Sequence, residues 1–226
     1  MLSLKNLHEY QNRIVEKSKQ LPHMGLLMDM GLGKTITTLT IIKGKTLIIA
    51  PKAVAKNVWR QEAKQWEHTS KLKFALIVGT PQERTAALES DADVYIVNVE
   101  NVVWLTEQKT ALQWTTLVID ESSRFKNPAS KRWKALKGML TSFQHRYILT
   151  GTPTPKSYLD LWTQVAILDR GQRLGTSMTK FKDQYFEPDQ KDRRTGVVWS
   201  WKLKPGAKEL IDAKISDICF SLRAED

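Results

Sequence analysis

The sequence predicts an α/β fold in which helices flank a parallel β-sheet. Short apolar runs alternate with helical patterns along most of the 226 residues. A loop with two glycines follows the first of these runs, and two adjacent carboxylates end a later one. Both arrangements are typical of open α/β sheets, because ligands of such sheets bind beyond the carboxyl ends of the strands.

Six short apolar runs are the predicted strands of the sheet. Each is too short for a buried helix, and several are rich in Val and Ile, as buried parallel strands usually are. The six runs are residues 25–28, 46–50, 74–78, 94–98, 117–119 and 147–150.

Two apolar stripes at helical spacing predict helices between the strands, and we interpret both stripes as core. The first consists of Ala55, Trp59, Ala63 and Trp66. The second consists of Leu161, Trp162, Val165 and Leu168.

The pattern changes after residue 170, where we predict that a main lobe (1–170) gives way to a C-terminal extension (171–226) that packs on it. A charged turn at 189–196 precedes an apolar alternation at 197–203, which predicts a hairpin. Trp199 and Trp201 of this alternation either pack half-buried or stack on bases or a partner. Apolar spacing over residues 207–222 predicts a final helix.

Composition narrows the class of protein. No run approaches the roughly 18 apolar residues of a membrane span, and the first ten residues lack the apolar region of a signal peptide. We expect a cytoplasmic monomer without a membrane partner, in the host cytoplasm if the chain is viral. The one cysteine, Cys219, and four scattered histidines exclude a disulfide framework and offer no metal cluster, so a metal is expected only with a ligand.

The net charge of +11 lies mainly in the second half of the chain. Residues 1–121 carry 15 Lys and Arg against 13 Asp and Glu, whereas residues 122–226 carry 20 against 11. Residues 122–159 contain eight basic side chains and no acidic one. A polyanion is the expected partner of such a segment, and the alternative is a solvated surface that aids solubility. The eight are Arg124, Lys126, Lys131, Arg132, Lys134, Lys137, Arg146 and Lys156.

The glycine-containing loop predicts a phosphate site. Glycine permits positive φ angles and close approach, so Gly31, Leu32 and Gly33 can direct backbone N–H groups at phosphate oxygens. Lys34 supplies a cation for the β and γ phosphates, and Thr35 supplies a hydroxyl for Mg²⁺. The helix predicted over residues 35–42 directs its positive dipole end at the anion. The general phosphate-loop pattern has a further glycine where this chain has methionine at position 28.

The acidic pair predicts the second half of the same site. Asp120 and Glu121 end an apolar strand about 85 residues after the loop. Asp120 is expected to hold Mg²⁺ and Glu121 to orient the attacking water, since phosphoryl transfer depends on positioning and electrostatic stabilisation. Alone, such a pair is as often structural, but together with the loop it predicts a nucleotide site.

Several motifs, in order, resemble those of the Swi/Snf-related branch of helicase superfamily 2. Residues 29–35 (DMGLGKT) resemble its motif I, D-x-G-L-G-K-T, in which the missing glycine is expected. Residues 7–11 (LHEYQ) resemble its Q-motif, which implies that Gln11 reads adenine; the alternative is an ordinary surface residue. Residues 47–51 (LIIAP) resemble motif Ia, which lies against DNA in relatives, and Lys52 follows where many relatives have threonine.

The resemblance continues through the second half of the chain. Residues 120–123 (DESS) stand where the family has D-E-x-H, so Ser123 replaces the histidine that commonly joins motif II to motif III. Residues 124–127 (RFKN) resemble the adjoining R-x-K-N. Residues 150–153 (TGTP) resemble motif III, which implies that Thr150, Gly151 and Thr152 couple nucleotide state to DNA.

The resemblance implies the first of two RecA-like P-loop lobes, with ATP and Mg²⁺ as cofactors and double-stranded DNA as partner. Lys52, Arg124, Lys126 and Lys131 are the expected contacts to the DNA backbone. The second lobe, with the family's arginine fingers, would belong to the same longer polypeptide, so this chain should bind ATP weakly and hydrolyse it slowly. Two alternatives stay open: a non-cycling ATP-binding nucleic-acid-binding or regulatory module, and a small-molecule P-loop kinase, which the motif order disfavours.

Overall fold

Seven parallel strands form the main sheet of the computed structural model, which describes residues 1–108, 114–152, 157–192 and 194–223. The strands are β1 His23–Met28, β2 Thr46–Ala50, β3 Phe74–Ile77, β4 Val94–Asn98, β5 Thr116–Asp120, β6 His145–Thr150, β7 Phe186–Lys191, β8 Val198–Leu203 and β9 Cys219–Leu222. The main sheet has the order β3-β4-β2-β5-β6-β1-β9, and β7 and β8 form a separate antiparallel pair.

Helices cover both faces of the main sheet. They are α1 Glu9–Ser18, α2 Lys34–Ile41, α3 Lys52–Gln65, α4 Pro81–Glu89, α5 Val102–Glu107, α6 Lys131–Met139, α7 Leu161–Asp169, α8 Met178–Tyr185 and α9 Ala207–Ile215. Alternate strand residues enter two hydrophobic cores: Leu47 and Ile49 of β2 join one core, and Ile48 joins the other. All residues of β2, β4 and β5 are therefore buried, as in other parallel sheets with two covered faces.

The predicted RecA-like α/β class is confirmed, and the six predicted strands are observed with ends shifted by at most two residues. The predicted hairpin is also observed, as β7 and β8. Trp201 is half-buried against the main core with the Lys182 ammonium 5.0 Å from its ring centroid, whereas Trp199 is 68% exposed. The packing interpretation therefore holds for Trp201 and fails for Trp199.

The predicted helix over residues 207–222 is wrong in its last part. Helix α9 ends at Ile215, and Cys219–Leu222 form β9, which pairs in parallel with the outer edge of β1. A side chain at Gly25 would place its Cβ 3.0 Å from the Cys219 Sγ, so glycine permits this close approach. Part of the predicted extension thus completes the main sheet, while the domain division near residue 170 stays a prediction.

The two apolar stripes differ in the structure. Helix α3 buries Ala55, Trp59 and Ala63 on one side, whereas all nine residues of α7 are buried. Trp66 follows α3, is buried, and forms an isolated parallel β-bridge with Leu2. Within the described ranges, no helix is long and apolar enough to cross a membrane.

Candidate nucleotide site and basic surface

Three neighbouring strands bring the predicted nucleotide residues to one edge of the sheet. The glycine loop follows β1, the acidic pair ends β5, and Thr150 ends β6, which lies between β1 and β5. Because all three strands are parallel, their carboxyl ends lie side by side.

The glycine loop has the backbone that a phosphate cradle needs. Gly31 and Gly33 have φ angles of 85° and 63°, in the left-handed region that favours glycine. A Cβ added at Gly31 would meet no described atom within 4 Å apart from its chain neighbours. A Cβ added at Gly33 would lie 2.5 Å from the Gln11 Nε2. Gly33 is the N-cap of α2, so the unpaired N–H groups of the first turn of α2 start at the loop.

Lys34 lies inside this loop. Its Nζ donates hydrogen bonds to the carbonyl oxygens of Met28 at 2.7 Å and Asp29 at 2.9 Å. Burial lowers the pKa of Lys34, and the negative charges of Glu121, Asp120 and Asp29 oppose that shift. The ammonium group is thus held near both members of the acidic pair.

Residues of the Q-motif brace the loop. Gln11 is 2% exposed, so the interpretation of it as a surface residue is wrong. Its Nε2 donates to the Thr37 Oγ1 at 2.9 Å and the Gly33 carbonyl at 3.3 Å, and its Oε1 accepts from the His8 N–H. The Tyr10 hydroxyl donates to the Leu32 carbonyl at 3.2 Å. The His8 N–H uses one of the two lone pairs of the Gln11 Oε1, so this oxygen can accept a second hydrogen bond.

Asp120 is a buried carboxylate at the end of β5. Its Oδ2 accepts a hydrogen bond from the Trp59 Nε1 at 3.1 Å. Burial raises the pKa of Asp120 to about 6, with a further upward contribution from Glu121, while the Trp59 hydrogen bond and Lys34 oppose the rise. Burial therefore destabilises the ionised form of Asp120, and a nearby cation would stabilise it.

Glu121 has a left-handed backbone, with φ 57° and ψ 58°, which is unusual for a residue other than glycine. Its Oε2 accepts a hydrogen bond from the Thr150 Oγ1 at 3.5 Å, and the same Oγ1 accepts from the Thr152 N–H at 3.1 Å. Motifs II and III are thus in contact without a histidine at position 123. Gly151 lies close to the Met28 carbonyl, and Pro153 lies outside the described residues.

A second buried contact supports the acidic pair. The Ser122 hydroxyl donates to the Gln164 Oε1 of α7 at 2.7 Å. Sequence reasoning missed Gln164, and it assigned no role to Tyr10 within the Q-motif and no hydrogen-bond partner to Trp59. A buried tryptophan usually finds a partner for its N–H group, but the sequence does not say which one.

The donor atoms at this edge suit a hard cation. Magnesium prefers oxygen ligands and is commonly held by one or two protein groups together with phosphate oxygens. The Thr35 hydroxyl and the Asp120 carboxylate are such groups. In the part of the chain that the structure describes, no cluster of three His, Cys, Asp or Glu side chains could hold a metal ion unaided. The residues therefore fit a magnesium ion that shares its ligands with a bound nucleotide.

The four expected DNA contacts follow β2 or β5, which are adjacent strands. Lys52 and Lys131 are the exposed first residues of α3 and α6, and Arg124 is exposed in the turn after Glu121. Lys126 is half-buried, with its Nζ 3.6 Å from the Asp160 carboxylate. Three of the four are thus exposed in segments that follow the carboxyl ends of two adjacent strands.

Arg146 does not fit the polyanion interpretation of the basic segment. It is 5% exposed, and its guanidinium donates to the carbonyl oxygens of Leu168 and Leu140. Burial lowers its pKa to about 10. Arg146 therefore lies at the opposite edge of the sheet and is not part of the exposed basic surface, and Lys156 lies outside the described residues.

Fold and site together define a P-loop nucleotide-binding domain with a RecA-like sheet. Residues 9–204 match the SNF2-related domain, and the chain belongs to that family. It is 33% identical over 234 residues to protein p41 of Acyrthosiphon pisum secondary endosymbiont phage 1, covering 96% of this chain and 50% of that protein. It is 31% identical over 179 residues to Helicase ssl-1 of Caenorhabditis elegans, covering 73% of this chain and 7% of the helicase.

A solved structure shares the fold. The Sulfolobus solfataricus SWI2/SNF2 ATPase core in complex with dsDNA matches with a TM-score of 0.75 and 27% sequence identity. The match covers 98% of this chain and 45% of that one. The chain thus spans half or less of the length of these relatives.

Proposed function

We propose that this chain is the ATP-binding lobe of a DNA-dependent ATPase that moves along duplex DNA. The observation that carries the proposal is the convergence of Lys34, Asp120, Glu121 and Thr150 at the carboxyl edge of three adjacent parallel strands. These are the group types that phosphoryl transfer from a nucleotide to water requires.

Each residue has a proposed role in holding ATP and Mg²⁺. Backbone N–H groups of Gly31–Gly33 and the first turn of α2 would hold the phosphates, with Lys34 neutralising their charge. Thr35 and Asp120 would hold the magnesium ion, which supplies charge stabilisation to the transferring phosphoryl group when bound. Glu121 would orient the attacking water. The hydrogen bond from Thr150 would let motif III influence the position of the Glu121 carboxylate. Gln11 would accept from adenine through its Oε1.

Duplex DNA is the proposed partner of the basic surface formed by Lys52, Arg124, Lys126 and Lys131. A lysine in the first turn of a helix is unfavourable because the helix dipole is positive there, yet α3 and α6 both begin with one and have no acidic residue in that turn. An anion at these ends would interact favourably with the lysine and the dipole together. The dsDNA in the Sulfolobus solfataricus complex supports a duplex as that anion.

A second RecA-like lobe would complete the catalytic site. The proposed site has cations from Lys34 and magnesium but no arginine finger among its described residues. Systems that rely on such a finger lose about 10³- to 10⁵-fold in rate without it. We therefore expect this chain alone to bind ATP weakly and to hydrolyse it slowly. Brisk DNA-stimulated hydrolysis by the 226-residue chain would contradict the half-site proposal.

Measurements of ATP turnover and of nucleotide binding distinguish a motor from an ATP-binding module that does not hydrolyse ATP in cycles. In a polypeptide that includes the second lobe, Glu121→Gln should abolish DNA-stimulated hydrolysis and retain ATP, as measured by phosphate release and equilibrium binding. Glu89→Gln, at an exposed end of α4, is the matched control and should hydrolyse normally. Unchanged DNA-dependent behaviour in Glu121→Gln would favour the module.

Salt dependence tests the basic surface. Lys52→Gln, Arg124→Gln and Lys131→Gln should each weaken binding to unrelated duplexes equally and reduce the salt slope by about 1. Lys71→Gln, at an exposed position beyond the end of α3, is the control and should leave the slope unchanged. A flat salt response in the unmodified chain would contradict backbone binding.

A further inference from the structure

A polar cavity lies at the amino-terminal edge of the main sheet, opposite the nucleotide site. Its volume is about 280 Å³, and its lining includes His23, Arg146, Asp169, Arg170 and Arg173. His23 is the first residue of β1, whereas the phosphate loop follows the last, so the two sites are roughly 16 Å apart along the strand. The cavity is therefore separate from the proposed ATP site.

Positive charge in this cavity exceeds the negative charge available to it. Asp169 and Asp217 both form ion pairs with Arg173. Neither Arg146 nor Arg170 has a carboxylate within ion-pair distance in the described parts of the chain, although Asp169 attracts Arg146 from farther away. Burial lowers the pKa of Arg146, and repulsion from Arg170 lowers it further. Arg146 is thus buried at this cavity without a paired carboxylate, and Arg170, which is exposed to solvent, adds a second cation to the lining.

Helix α7 offsets only part of that charge. Arg146 donates to the carbonyl of Leu168, near the end of α7, where the helix dipole amounts to about half a negative charge. This interaction explains why a buried arginine is tolerated at that position. The dipole leaves about half the charge of Arg146 without compensation, whereas Arg170, the C-cap of α7, is exposed to solvent.

Hydrogen-bond donors in the cavity are also in excess. Three of the five N–H groups of Arg146 have carbonyl acceptors, so two remain. Arg170 is exposed to solvent, and its side chain makes no hydrogen bond to any described residue. The His23 Nδ1 is buried and makes no hydrogen bond of full geometry to the described residues, although the Pro22 backbone lies near the ring. Buried polar groups without partners are costly, and an acceptor-rich ligand would satisfy the remaining donors of Arg146 and His23.

The backbone of Arg170 adds an independent observation. It has a φ of 57° at the C-terminal end of α7, a position where glycine is usual and another residue costs about 1 kcal/mol. Gly171, the next residue, also has a positive φ, and its Cβ would lie 2.7 Å from the Gly175 carbonyl oxygen. The tight turn thus keeps the Arg170 side chain beside the cavity, although its left-handed backbone conformation is unfavourable.

We infer that this cavity binds a phosphate group, either as free phosphate or on a small phosphomonoester. Planar guanidinium forks match phosphate oxygens, and the volume is close to the lower limit for small-molecule pockets. The ligand accepts from Arg146, Arg170 and His23 and leaves the pairs of Arg173 in place.

His23 provides a local probe, because the chain has only four histidines and their ring resonances can be assigned by substitution. Burial and Arg146 lower the pKa of His23 to about 4. A bound anion favours the imidazolium, so inorganic phosphate should raise the titration midpoint of His23 by about one pH unit. The resonance should move saturably with a dissociation constant on the order of millimolar.

Variants of the whole chain separate this cavity from the phosphate loop. Arg170→Gln should weaken the His23 response at least tenfold, whereas Arg194→Gln, at an exposed hairpin position, should leave it unchanged. Lys34→Ala should remove phosphate from the loop and leave the His23 response intact. Glycerol phosphate in place of phosphate distinguishes an ester from the free ion.

Three results would overturn the inference. The first is a His23 resonance that does not saturate with phosphate beyond the effect of sodium chloride at matched ionic strength. The second is an unchanged affinity in Arg170→Gln. The third is a response to duplex DNA alone, which would assign the cavity to a nucleic-acid backbone.

Discussion

Replacing Asp120 with asparagine should stabilise the fold at neutral pH and remove magnesium-dependent nucleotide binding. Asp120 is only 9% exposed, and burial raises its pKa from the ordinary 3.8 to about 6. Asparagine has nearly the same shape, cannot ionise, and still accepts the Trp59 hydrogen bond through its Oδ1. The substitution therefore removes the cost of a buried charge and little else.

The pKa gives the size and the pH window of this effect. The folded protein binds the Asp120 proton more tightly than the unfolded chain does, so between pH 3.8 and about 6 folding takes up a proton. Stability from this group is thus present at low pH and is lost as pH rises through that window. A shift of about 2 units corresponds to about 3 kcal/mol at pH 8, and to about half of that at pH 5.

Urea denaturation of the chain at pH 5 and pH 8 measures the prediction. Asp120→Asn should exceed the unmodified chain in unfolding free energy by up to about 3 kcal/mol at pH 8 and by less at pH 5. Glu89→Gln removes an exposed carboxylate and should show no such pH-dependent gain. If Asp120→Asn is no more stable at pH 8, or its gain is the same at both pH values, the reasoning about the buried charge is refuted.

Three further substitutions test other contacts. Trp59→Phe keeps an aromatic ring but removes the N–H group that stabilises ionised Asp120. The midpoint of magnesium-dependent nucleotide binding should therefore move up by roughly one pH unit in a pH titration. Arg146→Met should lower the unfolding free energy by about 2–5 kcal/mol without changing the salt slope of DNA binding; a loss of DNA affinity in a stable variant would contradict its structural role. Gly33→Ala should cost about 1–3 kcal/mol on denaturation, and Gln11→Ala should recover part of it; a neutral Gly33→Ala would contradict the crowding.

Strands with two buried faces were predictable because their signal is local. The runs at β2 and β4 are apolar over their whole length, and the sequence placed both strands at their observed bounds. The glycine loop was predictable for the same reason, since the requirement for positive φ at Gly31 and Gly33 is a property of those residues. Neither prediction needs knowledge of distant partners.

Features that depend on a partner were not predictable. The four residues of β9 have spacing that suits a helix as well as a strand, and the free edge of β1 decides between the two. The position of Arg146 in the sequence matches that of the exposed basic residues near it. The carbonyl groups that bury it come from α7 and from the turn after α6, which only the tertiary structure brings together.

The candidate site shows the same division between residue types and contacts. The sequence identified Gln11 and Trp59 by motif and stripe, but not the atoms they contact. Gln11 binds the Gly33 carbonyl, and Trp59 binds the Asp120 carboxylate. Each contact joins segments far apart in the chain, so a motif alone supplies the group and the fold supplies its partner.

The position of Trp59 within α3 bears on how DNA would influence ATP hydrolysis under the proposed function. Lys52 begins α3 at the proposed DNA surface, and Trp59 lies two turns later, about 10 Å along the same helix. A rigid shift of α3 on binding a phosphate at its first turn would move the Trp59 N–H group relative to Asp120. Because that hydrogen bond lowers the pKa of Asp120, the shift would alter how readily the carboxylate ionises to hold magnesium. DNA and metal would then be coupled through one side chain, which predicts that Trp59→Phe reduces DNA stimulation of hydrolysis more than it reduces DNA affinity.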